Sequence, residues 1–431
     1  MHTSRLVAVA MTYDIEWLNS TGFFTIKLGL TRIEQFLERL GRPQDGLRFI
    51  HVAGSNGKGS VCSLTESALR KAGFKTGFFC SPHLVKLNER FRINGVPIDD
   101  ETFIRAAETV RKVVMDMRAE NNSPTYFEIT TAIALIVFQS ENVDFVLWET
   151  GMGGRLDATN VVIPEISIIT GISLEHTAYL GSTLAEVAGE KAGIIKPGVP
   201  VVCGPMPEEA LAAIRKRAAE LNSPLTAVPA YEGAYRIDTE RRCQEIQIEE
   251  KRFLVSLPGT YQRNNASTAY YALKYLASKF GFDFSTALSG YSEARWSARF
   301  QFIEEKNLLI DGAHNPEGVQ ALASALREFY PGKKFHFIAG CFADKNADEV
   351  VAAFAPLAKD TAFIAFDGAG RETCSPEQLG GLLEKYAPGT PWKEGSLVTC
   401  LQTLPDPECM TVLCGSLHMC GEVLELLNLP G

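Results

Sequence analysis

Short apolar runs alternate along the chain with longer segments in which apolar residues recur at helical spacing. The apolar runs predict buried strands at residues 47–53, 74–80, 144–149 and 166–172. The helical spacing predicts helices at residues 60–72, 130–140 and 184–192. Strands and helices that alternate in this way are typical of a mostly parallel sheet with helices on both faces. Residues 228–256 interrupt the alternation and predict an antiparallel excursion.

A second alternating series begins at residues 308–311 and predicts a smaller α/β domain. Its further strands are predicted at 335–339, 362–366 and 411–414, and its helices at 316–329, 347–357, 375–386 and 422–427. We therefore predict an N-terminal domain at residues 1–295 and a C-terminal Rossmann-like domain at residues 296–431, with the boundary falling within residues 291–301.

Composition and charge narrow the classes of function. The 431 residues are 46% hydrophobic and 22% charged, as in ordinary globular proteins. The 42 Lys and Arg residues against 51 Asp and Glu give a net charge of −9, which argues against a broad basic surface for nucleic acid or anionic lipid. No stretch reaches the roughly 20 apolar residues that a membrane helix needs.

The N-terminus and the cysteines favour a cytoplasmic protein. The apolar run at residues 6–11 is shorter than the core of an export signal, and Met11 is an alternative start of the chain. The ten cysteines are scattered and form no C-x-x-C pair, which is typical of reduced thiols.

A glycine-rich segment, Gly54-Ser-Asn-Gly-Lys-Gly-Ser60, lies between a predicted strand and a predicted helix. Its glycines allow backbone N–H groups to converge on phosphate oxygens, and the helix N-terminus and Lys58 supply positive charge. The strict G-x-x-x-x-G-K-[ST] pattern is absent because Gly59 separates Lys58 from Ser60. The segment therefore predicts a phosphate loop, with an ordinary glycine-rich turn as the alternative.

Three further polar segments follow predicted strands, where ligands bind in open α/β sheets. Glu149 precedes a glycine-rich turn and is a candidate Mg²⁺ ligand, with a solvated turn as the alternative. Glu175-His176 follows the next strand, and a lone histidine there is more typical of a structural group than of a ligand. In the segment from Asp311 to Pro316, Asp311 or Asn315 is also a candidate helix N-cap.

The order of these segments carries more information than any one of them. Together they strongly resemble the folylpolyglutamate synthase and dihydrofolate synthase family, which is related to the Mur peptide ligases. The resemblance runs from about residue 27 to 417, and rests on residues 54–60, Ser81-Pro-His-Leu84, Asn88-Glu-Arg90, Tyr126-Phe-Glu128, residues 149–160, Glu175-His176, residues 190–198, Pro258-Gly259 with Gln262 and Asn265, Trp296 with Arg299, and Asp311 to Pro316.

The resemblance implies a fold and a reaction. The expected fold is α/β, with an N-terminal P-loop ATPase-like domain and a smaller C-terminal Rossmann-like domain. The expected reaction is the ATP-dependent, ADP-forming ligation of L-glutamate to the carboxylate of a folate through an acyl phosphate, with dihydropteroate as a second candidate acceptor. The alternatives are a Mur-like ligase acting on a cell-wall precursor and a nucleotide-binding regulator without ligase chemistry.

The resemblance also implies roles for individual residues. ATP binding is expected at Asn56, Gly57, Lys58, Gly59, Ser60, Asn265, Arg299 and Asp311. Two Mg²⁺ ions are expected at Ser81, Glu149, His176 and a carbamylated Lys191. Substrate is expected at Gly29, Leu30, Tyr126, Phe127, Glu128, Leu156, Asp157, Ala158 and Ser416, and catalysis at Lys58, Lys191 and His314. The expected partners are these small molecules alone, with no nucleic acid or membrane, and the expected state is a monomer.

Two positions depart from the family pattern. Glu175 stands where an aspartate is common, and Ser55 where a threonine is common. Both changes keep the functional group, so we expect activity to survive. If Glu175 bonds the second ring nitrogen of His176, its extra methylene would change that reach.

Overall fold

The computed structural model describes residues 17–18, 27–366, 371–404 and 406–431. The chain divides into two compact units. The first comprises the described residues up to His83, together with Leu87–Glu232 and Asn264–Ala294, and the second comprises Leu84–Lys86, Gly233–Arg263 and Arg295–Gly431. The segment Gly233–Arg263 thus groups with the second unit, although it precedes residue 295 in the chain. The domain limits 1–295 and 296–431 stay a prediction.

The first unit is built on an eight-stranded sheet. Its strands are β1 (Phe49–Ala53), β2 (Thr76–Phe79), β3 (Phe91–Ile93), β4 (Val96–Pro97), β5 (Phe145–Glu149), β6 (Ile166–Ile169), β7 (Val201–Cys203) and β8 (Leu225–Ala227), in the order β4-β3-β2-β5-β1-β6-β7-β8. β3 and β4 are antiparallel and the others are parallel. β1 is central and fully buried, so its apolar sequence has no polar face.

Nine α-helices belong wholly or partly to the described residues of this unit. They are α1 (Thr31–Arg39), α2 (Lys58–Lys71), α3 (Asp100–Ala119), α4 (Tyr126–Ser140), α5 (Thr177–Leu180), α6 (Leu184–Ala192), α7 (Glu208–Glu220), α8 (Thr260–Phe280) and α9 (Phe284–Ser289). Short 3₁₀ helices cover Leu87–Arg90, Ala158–Val161 and Gly290–Ser292. α6 matches its prediction, whereas α4 begins before residue 130 because Thr125 and Glu128 form a capping box.

The second unit contains two sheets. β9 (Tyr235–Asp238), β10 (Cys243–Ile248) and β11 (Lys251–Val255) form the predicted antiparallel excursion. The larger sheet contains β12 (Gln301–Ile303), β13 (Leu308–Ile310), β14 (Phe335–Ala339), β15 (Ala358–Ile364), β16 (Trp392–Gly395) and β17 (Thr411–Cys414), in the order β12-β13-β17-β14-β15-β16. Only the pairing of β12 within this sheet is antiparallel.

The helices of the second unit follow its parallel strands. They are α10 (Pro316–Phe329), α11 (Ala347–Phe354), α12 (Pro376–Tyr386), α13 (Leu397–Gln402) and α14 (Leu417–Leu426), with 3₁₀ turns at Glu304–Lys306 and Ala355–Leu357. α10 begins as predicted, with Asn315 as the N-cap and proline in the first turn. α14 begins before residue 422 because Ser416 caps it.

The architecture confirms the α/β prediction, with a larger, mostly parallel sheet and a second, Rossmann-like sheet. No helix in the described part of the chain is long and apolar enough to cross a membrane. All ten cysteines are free, and Cys374 alone among them is partly exposed. Burial raises the pKa of the Cys80 thiol to about 12, so this side chain packs as a neutral group.

Candidate active site

The glycine-rich segment connects the central strand β1 to helix α2. Gly57 has a φ of 88°, and a Cβ there would lie 2.4 Å from Oδ1 of Asn265. A side chain at Gly57 would therefore require both a strained backbone conformation and a displacement of the Asn265 side chain. The same contact places Asn265 against the loop, although the two residues are far apart in the sequence. Asn56 is held from β6, because Thr170 Oγ1 donates to Asn56 O at 2.6 Å.

Two lysine ammonium groups meet at this loop. Nζ of Lys58 and Nζ of Lys191 each donate to the carbonyl oxygen of Gly54 at 2.9 Å. Lys191 is only 1% exposed, and burial, together with the nearby charge of Lys58, lowers its pKa to about 8. Gly59 and the buried Ser60 lie in the first turn of α2, whose N–H groups add positive potential. The loop is thus arranged to receive an anion.

Glu175 belongs to the same charge cluster. Its Oε1 accepts from Lys191 Nζ at 2.5 Å. Burial opposes its ionisation, but the charges of Lys191 and Lys58 hold the pKa of Glu175 below its usual range. Ser55, which stands where the family commonly has a threonine, donates through Oγ to Ser173 O at 3.0 Å. This hydroxyl therefore holds the loop against the segment that follows β6. His176 is exposed, with a φ of 47° at the start of α5.

Glu149 and Ser81 follow neighbouring parallel strands. Glu149 is the last residue of β5, pairs with Val52 of β1 and is 5% exposed. β5 pairs with β2 on the side away from β1, and Ser81 follows β2 in the chain. The carboxyl ends of these strands therefore bring the two side chains to the same edge of the sheet. Within the described residues, no group of three or more His, Cys, Asp or Glu side chains is arranged to hold a metal ion.

The predicted substrate segments near the start of α1 and α4 are fastened to each other. Arg32 Nε donates to Glu128 Oε2 at 2.7 Å, and Arg32 Nη2 donates to Lys27 O at 3.0 Å. Arg32 thereby connects the segment that carries Gly29 and Leu30 to the first turn of α4. Glu128 also accepts from the backbone N–H of Thr125, so its carboxylate is largely used by the protein.

Tyr126 and Phe127 line the same turn of α4. The guanidinium of Arg90 lies 5.5 Å from the ring centre of the buried Tyr126. A Cβ at Gly151 would lie 2.5 Å from the ring of Phe127, so this glycine permits the ring to pack on the turn after β5. The structure therefore brings the Tyr126 to Glu128 segment against the glycine-rich turn that follows Glu149.

The segment from Leu156 to Ala158 turns around a buried carboxylate. Asp157 accepts hydrogen bonds from Met152 N at 2.8 Å, Thr159 N at 3.0 Å and Thr159 Oγ1 at 2.5 Å. Burial raises the pKa of Asp157, and these donors oppose that rise. Asp157 thus shapes the segment, and Leu156 and Ala158 are its neighbours in the chain.

In the second unit, Asp311 and Arg299 lie side by side. Asp311 accepts from Phe300 N at 2.7 Å and from Ala313 N at 2.8 Å. Burial raises the pKa of Asp311, while the charge of Arg299 opposes the rise. A Cβ at Gly312 would lie 2.5 Å from Nη1 of Arg299, so the guanidinium packs closely on this turn.

His314 and Ser416 follow the adjacent parallel strands β13 and β17. His314 Nδ1 lies 2.8 Å from Gly312 O, and a carbonyl only accepts, so Nδ1 carries the proton and Nε2 is an acceptor. Burial lowers the pKa of His314 to about 4, which keeps the ring neutral. Ser416 is buried and accepts from His418 N at 3.1 Å.

Comparison with known proteins agrees with this geometry. The Mur ligase middle domain matches residues 52–273, and the Mur ligase glutamate ligase domain matches residues 298–404. The dihydrofolate synthase/folylpolyglutamate synthase of Bacillus subtilis is 36% identical over 368 residues, covering 81% of this chain and 84% of the relative. The chain belongs to the folylpolyglutamate synthase and dihydrofolate synthase family of Mur ligases.

Solved structures of this family superpose on nearly the whole chain. Mycobacterium tuberculosis folylpolyglutamate synthase complexed with ADP and AMPPCP is 26% identical, with a TM-score of 0.85 over 99% of this chain and 100% of that one. E. coli FolC in complex with DHPP and ADP is 28% identical, with a TM-score of 0.81 over 96% and 97% of the two chains. These relatives favour the folate branch over a ligase acting on cell-wall precursors, and the predicted family is confirmed.

Several residues that shape the site of this ligase have little local signal in the sequence. Arg32, Thr170 and His51 contact partners distant in the chain, and only His51, a histidine within an apolar strand, has a local indication. The sequence also gives no indication of a cavity of about 420 Å³ in the second unit, lined by His336, Asp360, Lys393, Cys400 and Asp406 among others. That cavity lies at the opposite ends of the strands from Asp311 and His314.

Proposed function

We propose that this chain is an ADP-forming ligase that joins L-glutamate to the carboxylate of a folate and also to dihydropteroate. The observation that carries the proposal is the convergence of Lys58 and Lys191 on Gly54 O at the start of α2. Glu175 balances the charge of Lys191, which leaves the charge of Lys58 and the N–H groups at the start of α2 to bind an anion, and a triphosphate is such an anion. The Bacillus subtilis relative is named a dihydrofolate synthase as well as a folylpolyglutamate synthase, which supports the use of dihydropteroate.

The residues of the first unit prepare the phosphoryl transfer. A carboxylate oxygen of the folate substrate attacks the γ-phosphorus of ATP, the bond to the β-phosphate oxygen breaks, and ADP leaves. The N–H groups of the Gly54 to Ser60 loop hold the phosphates, and Lys58 neutralises negative charge on the transferred phosphoryl group. Asn265, packed on Gly57, fixes the loop. The acyl phosphate then has a leaving group that a free carboxylate lacks.

The second step forms the amide. The amine nitrogen of glutamate attacks the acyl carbon, inorganic phosphate leaves, and the amine loses its proton to solvent. His314 is suited to orient that amine, because its neutral ring leaves Nε2 as an acceptor for an amine N–H. Its pKa of about 4 makes it a hydrogen-bond acceptor rather than a store for the proton. Arg299 and Asp311 are proposed to contact ATP, and Ser416 to contact substrate.

Mg²⁺ suits the donor set of the first unit. The buried carboxylate of Glu149 and the hydroxyl of Ser81 are oxygen ligands at one sheet edge, and phosphate and water usually complete such sites. His176 is proposed to hold a second ion. When bound, Mg²⁺ would neutralise phosphate charge.

Carbamylation of Lys191 is proposed as part of the same site. Conversion of the ammonium to a carbamate would remove the like-charge contact with Lys58 at Gly54. The carbamate would also place anionic oxygens beside the carboxylate of Glu175, and two anionic groups in contact require a cation between them. We further propose a cytoplasmic monomer, and sedimentation of the purified protein tests the oligomeric state.

The direct test is ADP release by the purified protein with ATP, Mg²⁺ and L-glutamate, offered dihydropteroate in one reaction and tetrahydrofolate in another. Release in both reactions supports the bifunctional ligase, and release with tetrahydrofolate alone restricts it to a folylpolyglutamate synthase. No release in either, with ATP binding intact, would overturn the proposal and favour a cell-wall precursor or a regulatory role.

A further inference from the structure

A histidine is enclosed at the centre of the eight-stranded sheet of the first unit, and no proposed step of the reaction uses it. His51 lies in β1 between β5 and β6, three positions before Gly54, and is 0% exposed. Burial, with a smaller contribution from the charge of Lys196, lowers its pKa to about 3. The imidazole is therefore neutral at physiological pH, with one ring N–H to donate.

The partners of His51 fix which nitrogen carries the proton. Thr159 Oγ1 lies 2.5 Å from Asp157 Oδ1, and both oxygens of Asp157 already accept from backbone N–H groups, so the hydroxyl gives its proton to this acceptor. The same hydroxyl oxygen lies 2.9 Å from His51 Nε2 and must accept there. His51 is therefore protonated on Nε2. Its Nδ1 is buried and has no hydrogen-bond partner within the described residues.

The strand neighbour of His51 holds the same threonine from a second direction. Trp148 of β5 is the register partner of His51, and its Nε1 donates to Thr159 O at 2.9 Å. Asp157, oriented by Thr159, accepts in turn from Met152 N. Two buried side chains in one row of the sheet thus define the path of the chain from Met152 to Thr159.

We propose that His51 is a positioning residue that sets the segment from Leu156 to Ala158 for the pterin end of the substrate. An apolar residue would fill this strand position without burying an unpaired Nδ1, which is destabilising. The directed bond to Thr159 is what an apolar residue cannot supply. The role in substrate binding rests on the proposed function.

Kinetics of matched variants test this role. His51→Leu is expected to raise KM for dihydropteroate about tenfold while KM for ATP stays within about twofold. His51→Gln is expected to restore KM because its amide N–H reaches the place of Nε2. Thr159→Val removes the same bond and also the bond from the hydroxyl to Asp157, so it is expected to raise KM at least as much as His51→Leu, and the double variant is expected to add little to Thr159→Val.

Ser167→Ala is the control for a general loss of packing. Ser167 is the register partner of His51 on β6, is equally buried, and donates to Ile194 O rather than to the substrate segment. It is expected to lower stability without changing either KM. If this variant raises KM as His51→Leu does, or if His51→Gln fails like His51→Leu, His51 is merely structural and the proposal is overturned.

Hydrogen exchange separates this proposal from the proposed substrate. In His51→Leu, backbone amides from Met152 to Thr159 are expected to exchange faster, while those of β6 keep the rate of the parent protein. Unchanged exchange in that segment would overturn the positioning role even if the parent protein uses dihydropteroate. If exchange is faster in His51→Leu but the parent protein releases no ADP, the positioning role is supported and only the proposed substrate is removed.

Discussion

Lys58 and Lys191 share one hydrogen-bond acceptor, the carbonyl oxygen of Gly54, at 2.9 Å from each Nζ. Lys58 belongs to the helix after the phosphate loop, and Lys191 reaches the loop from α6. Glu175 balances one of the two charges, which leaves net positive charge at the loop. The arrangement favours an anionic ligand, and it makes the two lysines separable by mutation.

Lys58→Ala is expected to lower kcat for ADP release by at least about a hundredfold, because it removes the charge that stabilises the transferred phosphate. Lys71→Ala, at the other end of α2, removes an exposed lysine paired with Glu293 and should leave turnover within about twofold. Near-normal turnover in Lys58→Ala would contradict the proposed phosphate site.

Lys191→Ala is expected to lose activity that short carboxylic acids partly restore, because such acids can occupy the place of a carbamate. Lys191→Arg fills the site with a permanent cation, so no rescue is expected there. The measurement is ADP release across a series of acid concentrations. A mass spectrum and electron density showing an unmodified amine in a fully active crystal would rule out the carbamate.

Gly57→Ala is expected to abolish ATP binding, since its Cβ would meet Asn265 Oδ1 at 2.4 Å. Gly73→Ala is the matched control, because Gly73 has a similar φ of 93° but nothing within 4 Å of the added Cβ. The control carries the backbone strain, about 1 kcal/mol, without the clash. Equal ATP affinities of the two variants, measured by calorimetry, would show that the contact with Asn265 is unimportant.

Arg32→Ala is expected to raise KM for the folate substrate several-fold, because it releases the segment before α1 from Glu128 and leaves that carboxylate with fewer donors. The expected loss of stability is about 1–3 kcal/mol. Arg39→Ala removes an exposed ion pair with Glu120 on the same helix and should change neither quantity measurably. Equal KM values in both variants would contradict the role given to Arg32.

His51 gives a stability prediction with a definite sign. Its pKa is about 3 in the folded protein against an ordinary 6.5, so the unfolded chain binds more protons between these values and stability falls as pH falls through that window. His51→Gln removes this contribution and should lose about 2 kcal/mol less than the parent protein between pH 7 and pH 5. Urea unfolding at the two pH values measures the difference, and parallel losses would contradict it.

The sequence determined the elements whose causes are local. α6 and α10 begin and end where predicted because a capping box or an N-cap with a following proline sets their starts. The alternation of apolar runs determined the parallel sheets, and the spacing of motifs determined the family. The strand predicted at residues 362–366 was displaced, running from Ala358 to Ile364, because its polar first half pairs with β14.

The tertiary structure decided what each candidate residue touches. Lys191 meets Gly54, Arg32 meets Glu128, and His51 meets Thr159 across long sequence separations, and no local pattern specifies such pairs. The structure also gave Asp157 and Ser416 backbone partners that the motif alone did not reveal. The sequence names the groups that carry the chemistry, because glycines, caps and strand ends are local. Their orientation depends on burial and on hydrogen-bond direction, which exist only once the sheet has formed.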